Sequence, residues 1–322
     1  QTIEKGKVAA IATEPVVPVA QTVNLNSAQG YANTYQIPSI GTYKFEPVKG
    51  NDSSAKLDAA SVEITWETWC TSEAVTPNSL VKSVVLEDGF VVVETADPYH
   101  AGNALISAKN AEGTIIWSWM LWFVEGKIGT VEYDGQTVMD RNLGATDATA
   151  LGDYETFGLY YQWGRKDPFI GDKKEERTRD LENGGWKDVV KAFGNGSTLT
   201  VCNTAYSQAK WSSISTSSKV GTIAYVTANP MTFLYSGTGN VANWLNVKGL
   251  TAEEKSAICY DPDRSLWRPF QKSNYDPCPV GYQVPRKAMW VAIGSENSVV
   301  TDYKGFVNTT SAGAEVWYPL AG

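Results

Sequence analysis

Histidine is almost missing from this 322-residue chain, His100 being the single example. That removes Ser-His-Asp and Cys-His nucleophile systems and multi-histidine zinc sites almost at a stroke. Basic charge is in deficit as well: 27 Lys and Arg face 35 Asp and Glu, a formal charge of -8. A chain of that balance is not a basic nucleic-acid binder. Long apolar runs are lacking, the longest being Ile115 to Val124, which Ser118 interrupts and four large aromatics crowd. No membrane-spanning segment is expected from it. The four cysteines, Cys70, Cys202, Cys259 and Cys278, make no C-x-x-C pair, which argues against a cysteine-based zinc or redox centre. Catalysis by the commonest constellations is therefore not expected, and the chain reads as non-enzymatic.

Hydrophobic residues at 43 % and charged ones at 19 % are the balance of a chain that folds, and its length corresponds to roughly two domains at about 150 residues each. Aromatics are plentiful: 12 Trp and 16 Tyr against 9 Phe. Trp and Tyr join a flat apolar face to a polar edge, so they suit sugar-stacking surfaces and interfaces as well as β-rich cores; most of them stand in apolar or alternating stretches, which favours the core. Pro15 and Pro18 forbid a helix at the start, so residues 1–22 read as an extended strand or tether. From Val23, short period-two runs follow at 23–25, 31–37, 42–45, 61–69, 81–86, 90–95, 103–109 and 114–124. Glu87-Asp88-Gly89 and Asn110-Ala111-Glu112-Gly113 carry hairpin chemistry between them. This pattern predicts a β-sandwich over 23–126. Beyond it the texture becomes α+β and loop-rich over 127–322, with a hairpin at 131–139 and helices at 155–162, 186–193, 251–258 and 286–293.

Several side chains are candidates for chemistry. Gln162-Trp163-Gly164-Arg165-Lys166-Asp167 mixes an aromatic face with charge and amide, as a sugar platform does, so Trp163, Arg165 and Asp167 are ligand-binding candidates, with Trp267 beside them. A buried Trp with an Arg-Asp pair fits the same string. Asp261-Pro262-Asp263 places two hard carboxylates one residue apart, which admits calcium, but the glycine and bidentate glutamate of an EF-hand loop are missing. No cofactor is otherwise expected. Asp140-Arg141-Asn142 follows a strand, where such side chains fix a loop through local backbone bonds and an Arg-carboxylate pair. Asp276-Pro277-Cys278, inside the three-proline string from Tyr275 to Pro285, reads as a rigid turn. Glu175-Glu176 and Glu253-Glu254 read as surface or helix-start charge, His100 as a loop hydrogen-bonder, and Gly237-Thr238-Gly239-Asn240 as a turn. Four cysteines allow three complete pairings. Cys259 and Cys278, nineteen residues apart, are the nearest pair and the disulfide candidate, which would imply an oxidising, exported setting. No signal peptide is visible at Gln1, so an exported chain would begin here after its removal.

Three long strings carry a family resemblance: Val138 to Ala145, Tyr160 to Phe169 and Tyr275 to Pro285. In this order they resemble the Fibrobacter succinogenes major paralogous domain, a C-type-lectin-like module of bacterial surface proteins. Upstream, Ala32-Asn33-Thr34-Tyr35, Gly41 to Phe45 with Val48 to Asn51, and Gly102-Asn103-Ala104 with Ile116 to Trp119 resemble the preceding domain of fimbrillin-like adhesins of Bacteroides-type bacteria. The resemblance implies an Ig-like or transthyretin-like β-sandwich followed by a C-type-lectin-like domain. It further implies an exported, non-enzymatic fimbrial tip or accessory subunit at the cell surface and outer membrane, bound to the membrane only through a processed N-terminal lipid anchor. Its expected partners are other fimbrial subunits and a glycan or protein ligand, with no nucleic acid. A structural subunit assembled by strand exchange, through residues 7–19 for instance, and a carbohydrate-binding component of a glycan-degrading system are the alternatives. Members of the family continue past the position of Trp317 into further strands and a last Cys, which implies an incomplete module here and a second choice of partner for Cys278.

Overall fold

The computed structural model describes residues 21–69, 75–133, 136–149, 154–170, 212–215, 221–235, 244–245, 251–253, 266–268, 270–285, 298–301, 305–309 and 315–319. Its strands in the first part of the chain are β1 Val23–Asn24, β2 Thr34–Ile37, β3 Thr42–Phe45, β4 Val48–Lys49, β5 Asp52–Lys56, β6 Ser61–Thr68, β7 Val81–Glu87, β8 Phe90–Thr95, β9 Gly102–Lys109 and β10 Ile115–Phe123. They form one sheet of order β1-β3-β8-β7, a second of order β2-β10-β9-β6, and the separate β4-β5 hairpin. Both short edge strands, β1 and β2, run parallel to their neighbours β3 and β10, while the remaining pairs in the two sheets are antiparallel. Asp88 and Gly89 turn β7 into β8 with φ of 49° and 79°, the left-handed conformations that a tight hairpin of this twist requires.

Side-chain alternation along β10 explains how the sheets stack. Trp117, Trp119, Leu121 and Phe123 point one way, into a core shared with Tyr35 and Ile37 of β2, Tyr43 and Phe45 of β3, Val91 and Val93 of β8, and Ala104, Ile106 and Ala108 of β9. The two sheets thus pack face to face, with small alanines on β9 opposite large aromatics from elsewhere. Met120 and Trp122 point the other way, as do Trp66 of β6 and Leu105 of β9. That second face would be wet in an isolated sandwich. Here it is covered by Ile128, Leu159, Phe169 and Ile170, so β9 and β10 are buried on both sides. Each such large side chain contributes about 1.5–3 kcal/mol on leaving water.

A further antiparallel pair, β11 Thr130–Tyr133 with β12 Gln136–Met139, follows where a hairpin is expected over 131–139. Helix α1 is Leu25–Ala28, α2 is Tyr154–Phe157 and α3 is Ile223–Ala228; the later strands are β13 Ser212–Ser215, β14 Thr232–Tyr235, β15 Ser298–Thr301, β16 Gly305–Thr309 and β17 Glu315–Pro319. The protein is therefore β-rich, built from several small sheets with short helical turns. Two local expectations are corrected. Leu25 belongs to a helical turn and not to the first strand, because the Asn24 side chain accepts from the backbone N–H of Asn26 and Ser27 and caps it. The helix expected over 155–162 stops at Phe157, since Gly158 takes φ +70° and a Cβ there would lie 2.7 Å from the Leu143 carbonyl oxygen. Of the tether expected over 1–22 only residues 21–22 are described, and of the helix expected over 251–258 only 251–253; the helices at 186–193 and 286–293, Glu175-Glu176 and the glycine-rich string at 237–240 lie outside the described residues.

Polar ties run along with the apolar cover. Asn33 donates to the carbonyls of Asn274 and Asp276 (both 2.8 Å), Thr34 to that of Pro277 (2.6 Å), and Asn103 to that of Gly144 (2.7 Å). The expected boundary at 126/127 is thus crossed by a continuous core and by buried hydrogen bonds. Among the described residues no helix is long and apolar enough to cross a membrane.

Candidate functional site

The β4-β5 hairpin is the element on which the candidate site rests. At its turn Gly50 adopts φ +58°, and a Cβ there would meet the Asn274 carbonyl oxygen at 2.4 Å, so only glycine lets the turn seat against the segment 272–276. The Asn51 amide then donates to the Lys272 carbonyl at 3.0 Å. Between this turn and the segment 266–275 opens a cleft of about 470 Å³ lined by Asn51, Asp52, Ser53, Arg268, Gln271, Asn274 and their neighbours. Its size is that of a small-ligand site, and its walls present amides, hydroxyls, a carboxylate and a guanidinium.

One wall is rigid for a stated reason. Asp276, fully buried, accepts from the Lys272 ammonium (2.8 Å) and the Cys278 N–H (2.9 Å) through one oxygen, and from the Val284 N–H (2.9 Å) through the other. Lys272 also donates to the carbonyls of Cys278 (2.6 Å) and Tyr282 (2.9 Å). Its three ammonium protons are thereby used, and its charge is neutralised within the wall. Ser273 donates to the Leu266 carbonyl, and Trp267 donates to that of Tyr275 (3.0 Å), which closes the loop on itself. The opposite wall is steadied by Asp52, whose carboxylate accepts from the Ser54 hydroxyl (2.6 Å) and N–H (2.9 Å) and is held below the usual carboxylate range by those bonds. Phe270, in the same loop, leaves 70 % of its surface in solvent.

Arg268 stands apart from these networks. Its Nε is withdrawn from solvent with no acceptor, and the side chain makes no ion pair among the described residues. Asp52 lines the same cleft without reaching it.

The sequence-derived candidates fall elsewhere. Arg165 is only 2 % exposed, and its guanidinium donates to Gln162 Oε1 (2.9 Å) and to the carbonyls of Thr232 (2.7 Å), Pro230 (3.1 Å) and Asn229 (3.4 Å) while lying over the Phe169 ring. Burial lowers its pKa to about 10, so it remains charged at neutral pH. Asp167 is buried with Lys166, Oδ1 to Nζ at 2.5 Å, and Ser118 completes the cluster. Arg165 and Asp167, expected as ligand contacts, are thus buried against protein partners, Arg165 beside β14 and Asp167 beside β10, with the Arg165 Nε left without an acceptor. Trp163 and Trp267 are half-buried and meet edge to face at 6.5 Å, and neither lines the cleft. Trp267 is nevertheless chain neighbour to Arg268, the group that composition and motif reasoning passed over.

Asp140 and Arg141 form a two-point ion pair (2.7 and 3.0 Å), and Asn142 donates to the Phe157 carbonyl (3.2 Å). Cys278 carries a free, buried thiol in place of the expected bridge to Cys259, itself outside the described residues. The turn it stands in is held by the Lys272-Asp276 network, and burial pushes the thiol well above its ordinary pKa. Asp261 and Asp263 also lie outside the described residues, and among those described no group of His, Cys, Asp and Glu is placed to hold a metal. His100 stacks on Trp69 at 4.5 Å. Comparison with known protein families, curated proteins and solved structures finds no match to this chain.

Proposed function

We propose that this chain is a non-enzymatic, exported adhesion protein, a fimbrial tip or accessory subunit at the cell surface, and that it binds a glycan or protein ligand in the cleft between the β4-β5 turn and the segment 266–275. In the finer reading, the two facing sheets are an Ig-like or transthyretin-like sandwich, and the chain from 127 onward is a C-type-lectin-like module. The observation that carries the proposal is the cleft itself, with its hydrogen-bonded walls and groups of both kinds; the exposed Phe270 ring stands outside its lining, next in the chain to Gln271, which lines it. Stacking on an apolar sugar or peptide face supplies contact area, and the polar lining supplies direction. The string resemblance supports the same class of function. A carbohydrate-binding component of a glycan-degrading system would use the cleft in the same manner.

An array of glycans and extracellular-matrix proteins tests the reading. Binding to at least one ligand class, weakened at least about tenfold by Phe270→Ser or Gln271→Ala, is the expected result. Binding that both variants leave intact, or none at all, would overturn it. The structural-subunit reading has one observation of its own: β7 ends its sheet and exposes Val85, an edge to which a further strand could add.

A further inference from the structure

We infer that the cleft selects a singly charged, carboxylate-bearing sugar, and that Arg268 is the residue that reads the carboxylate. This rests on the adhesion reading above and narrows its ligand. Among the cations near the cleft, Lys272 is excluded because its three protons already go to Asp276 and to the carbonyls of Cys278 and Tyr282. Arg268 is the opposite case. It lines the cleft with its Nε shut off from water and no acceptor supplied among the described residues. The Nε itself is as far from a cleft ligand as from water, but no protein carboxylate lies against the guanidinium among the described residues, and the outer nitrogens of such a planar fork match a ligand carboxylate through two parallel bonds.

The remaining lining limits what else the ligand carries. Asn51, Ser53, Gln271 and Asn274 offer amide and hydroxyl groups suited to sugar hydroxyls. Asp52 contributes a second, opposite charge to the same cleft without pairing with Arg268, and its carboxylate stays ionised. It repels a second negative group, and the formal charge of -8 disfavours polyanions at longer range. A sugar with one carboxylate and several hydroxyls satisfies both walls; a densely sulfated chain does not.

The test is an array carrying sialic-acid-terminated, uronic-acid-terminated, sulfated and neutral oligosaccharides together with matrix proteins, probed with the whole chain, Arg268→Ala and Arg268→Lys, each checked for its near-ultraviolet circular dichroism. One or both carboxylated arms should exceed their neutral counterparts by about tenfold, and Arg268→Ala should cut that binding by about ten- to a hundredfold, with partial retention in Arg268→Lys. The two carboxylated arms identify the source of the sugar. Equal binding of neutral or sulfated sugars, or carboxylated binding that Arg268→Ala leaves unchanged, overturns the inference while the adhesion reading stands. Binding to matrix proteins alone does the same. Silence on every arm overturns both.

Discussion

Glu67 shows how much a single buried side chain does for this fold. Fully buried on β6, its carboxylate accepts from the backbone N–H of Asn78, Ser79, Leu80 and Val81 at 2.6–3.3 Å. Burial still pushes the carboxyl above its ordinary range. Glu67→Ala would orphan those donors, and a loss of about 2–4 kcal/mol in urea unfolding is expected. Lys166 and Asp167 form the second such point. Lys166→Met leaves Asp167 as an uncompensated buried charge and should cost about 3–5 kcal/mol, whereas Lys166→Met with Asp167→Leu should recover much of that loss in the same assay. None of these polar roles was legible in the sequence, because Glu67 lies in an alternating strand and the Lys166 string reads equally as platform or as brace. Their partners, at 78–81 and at Ser118, are set by the fold alone.

At the scale of elements, the strands were the legible part. Period-two alternation over 61–69, 90–95, 103–109 and 114–124 corresponds closely to β6, β8, β9 and β10, and Asp88-Gly89 announces its turn. The β4-β5 hairpin carries little strand signal, although Gly50-Asn51 is a turn signal, since β4 is two residues long and β5 is polar. The cleft that this hairpin walls is therefore not legible in the sequence. Gly50→Ala tests the hairpin's part: the added Cβ meets the Asn274 carbonyl, so a stability loss of about 1–3 kcal/mol is expected, together with weaker ligand binding by calorimetry. A variant that is as stable and binds as well as the parent would detach the hairpin from the site. Where the expected helix at 155–162 failed, the cause was a glycine whose close approach to Leu143 no local pattern announces.

For the whole molecule, the outward face of β9 and β10 matters most. Sequence reading divides the chain at 126/127, yet Trp66, Leu105, Met120 and Trp122 share one core with Leu159 and Phe169. The alternation was visible; which segment covers the second face was not. Buried phenols give this body a pH signature. Tyr35, Tyr99 and Tyr161 all have pKa values raised above the ordinary value by burial. Because the folded value lies above the unfolded one, their contribution is fully present below about pH 10 and is lost as pH rises beyond it. Melting temperature should therefore fall steeply above that pH, with tyrosinate absorbance rising together with unfolding; phenols that titrate near the ordinary value in a chain still folded would contradict the packing.

The central claim is that ligand enters the cleft between the β4-β5 turn and the segment 266–275. Hydrogen exchange read by mass spectrometry, with and without the strongest ligand from the array, addresses it most directly. Protection confined to peptides covering 49–54 and 266–276, and absent in Arg268→Ala, is the predicted result. Protection along β7 or on the outer face of the β1-β3-β8-β7 sheet, with the cleft peptides unchanged, would contradict it.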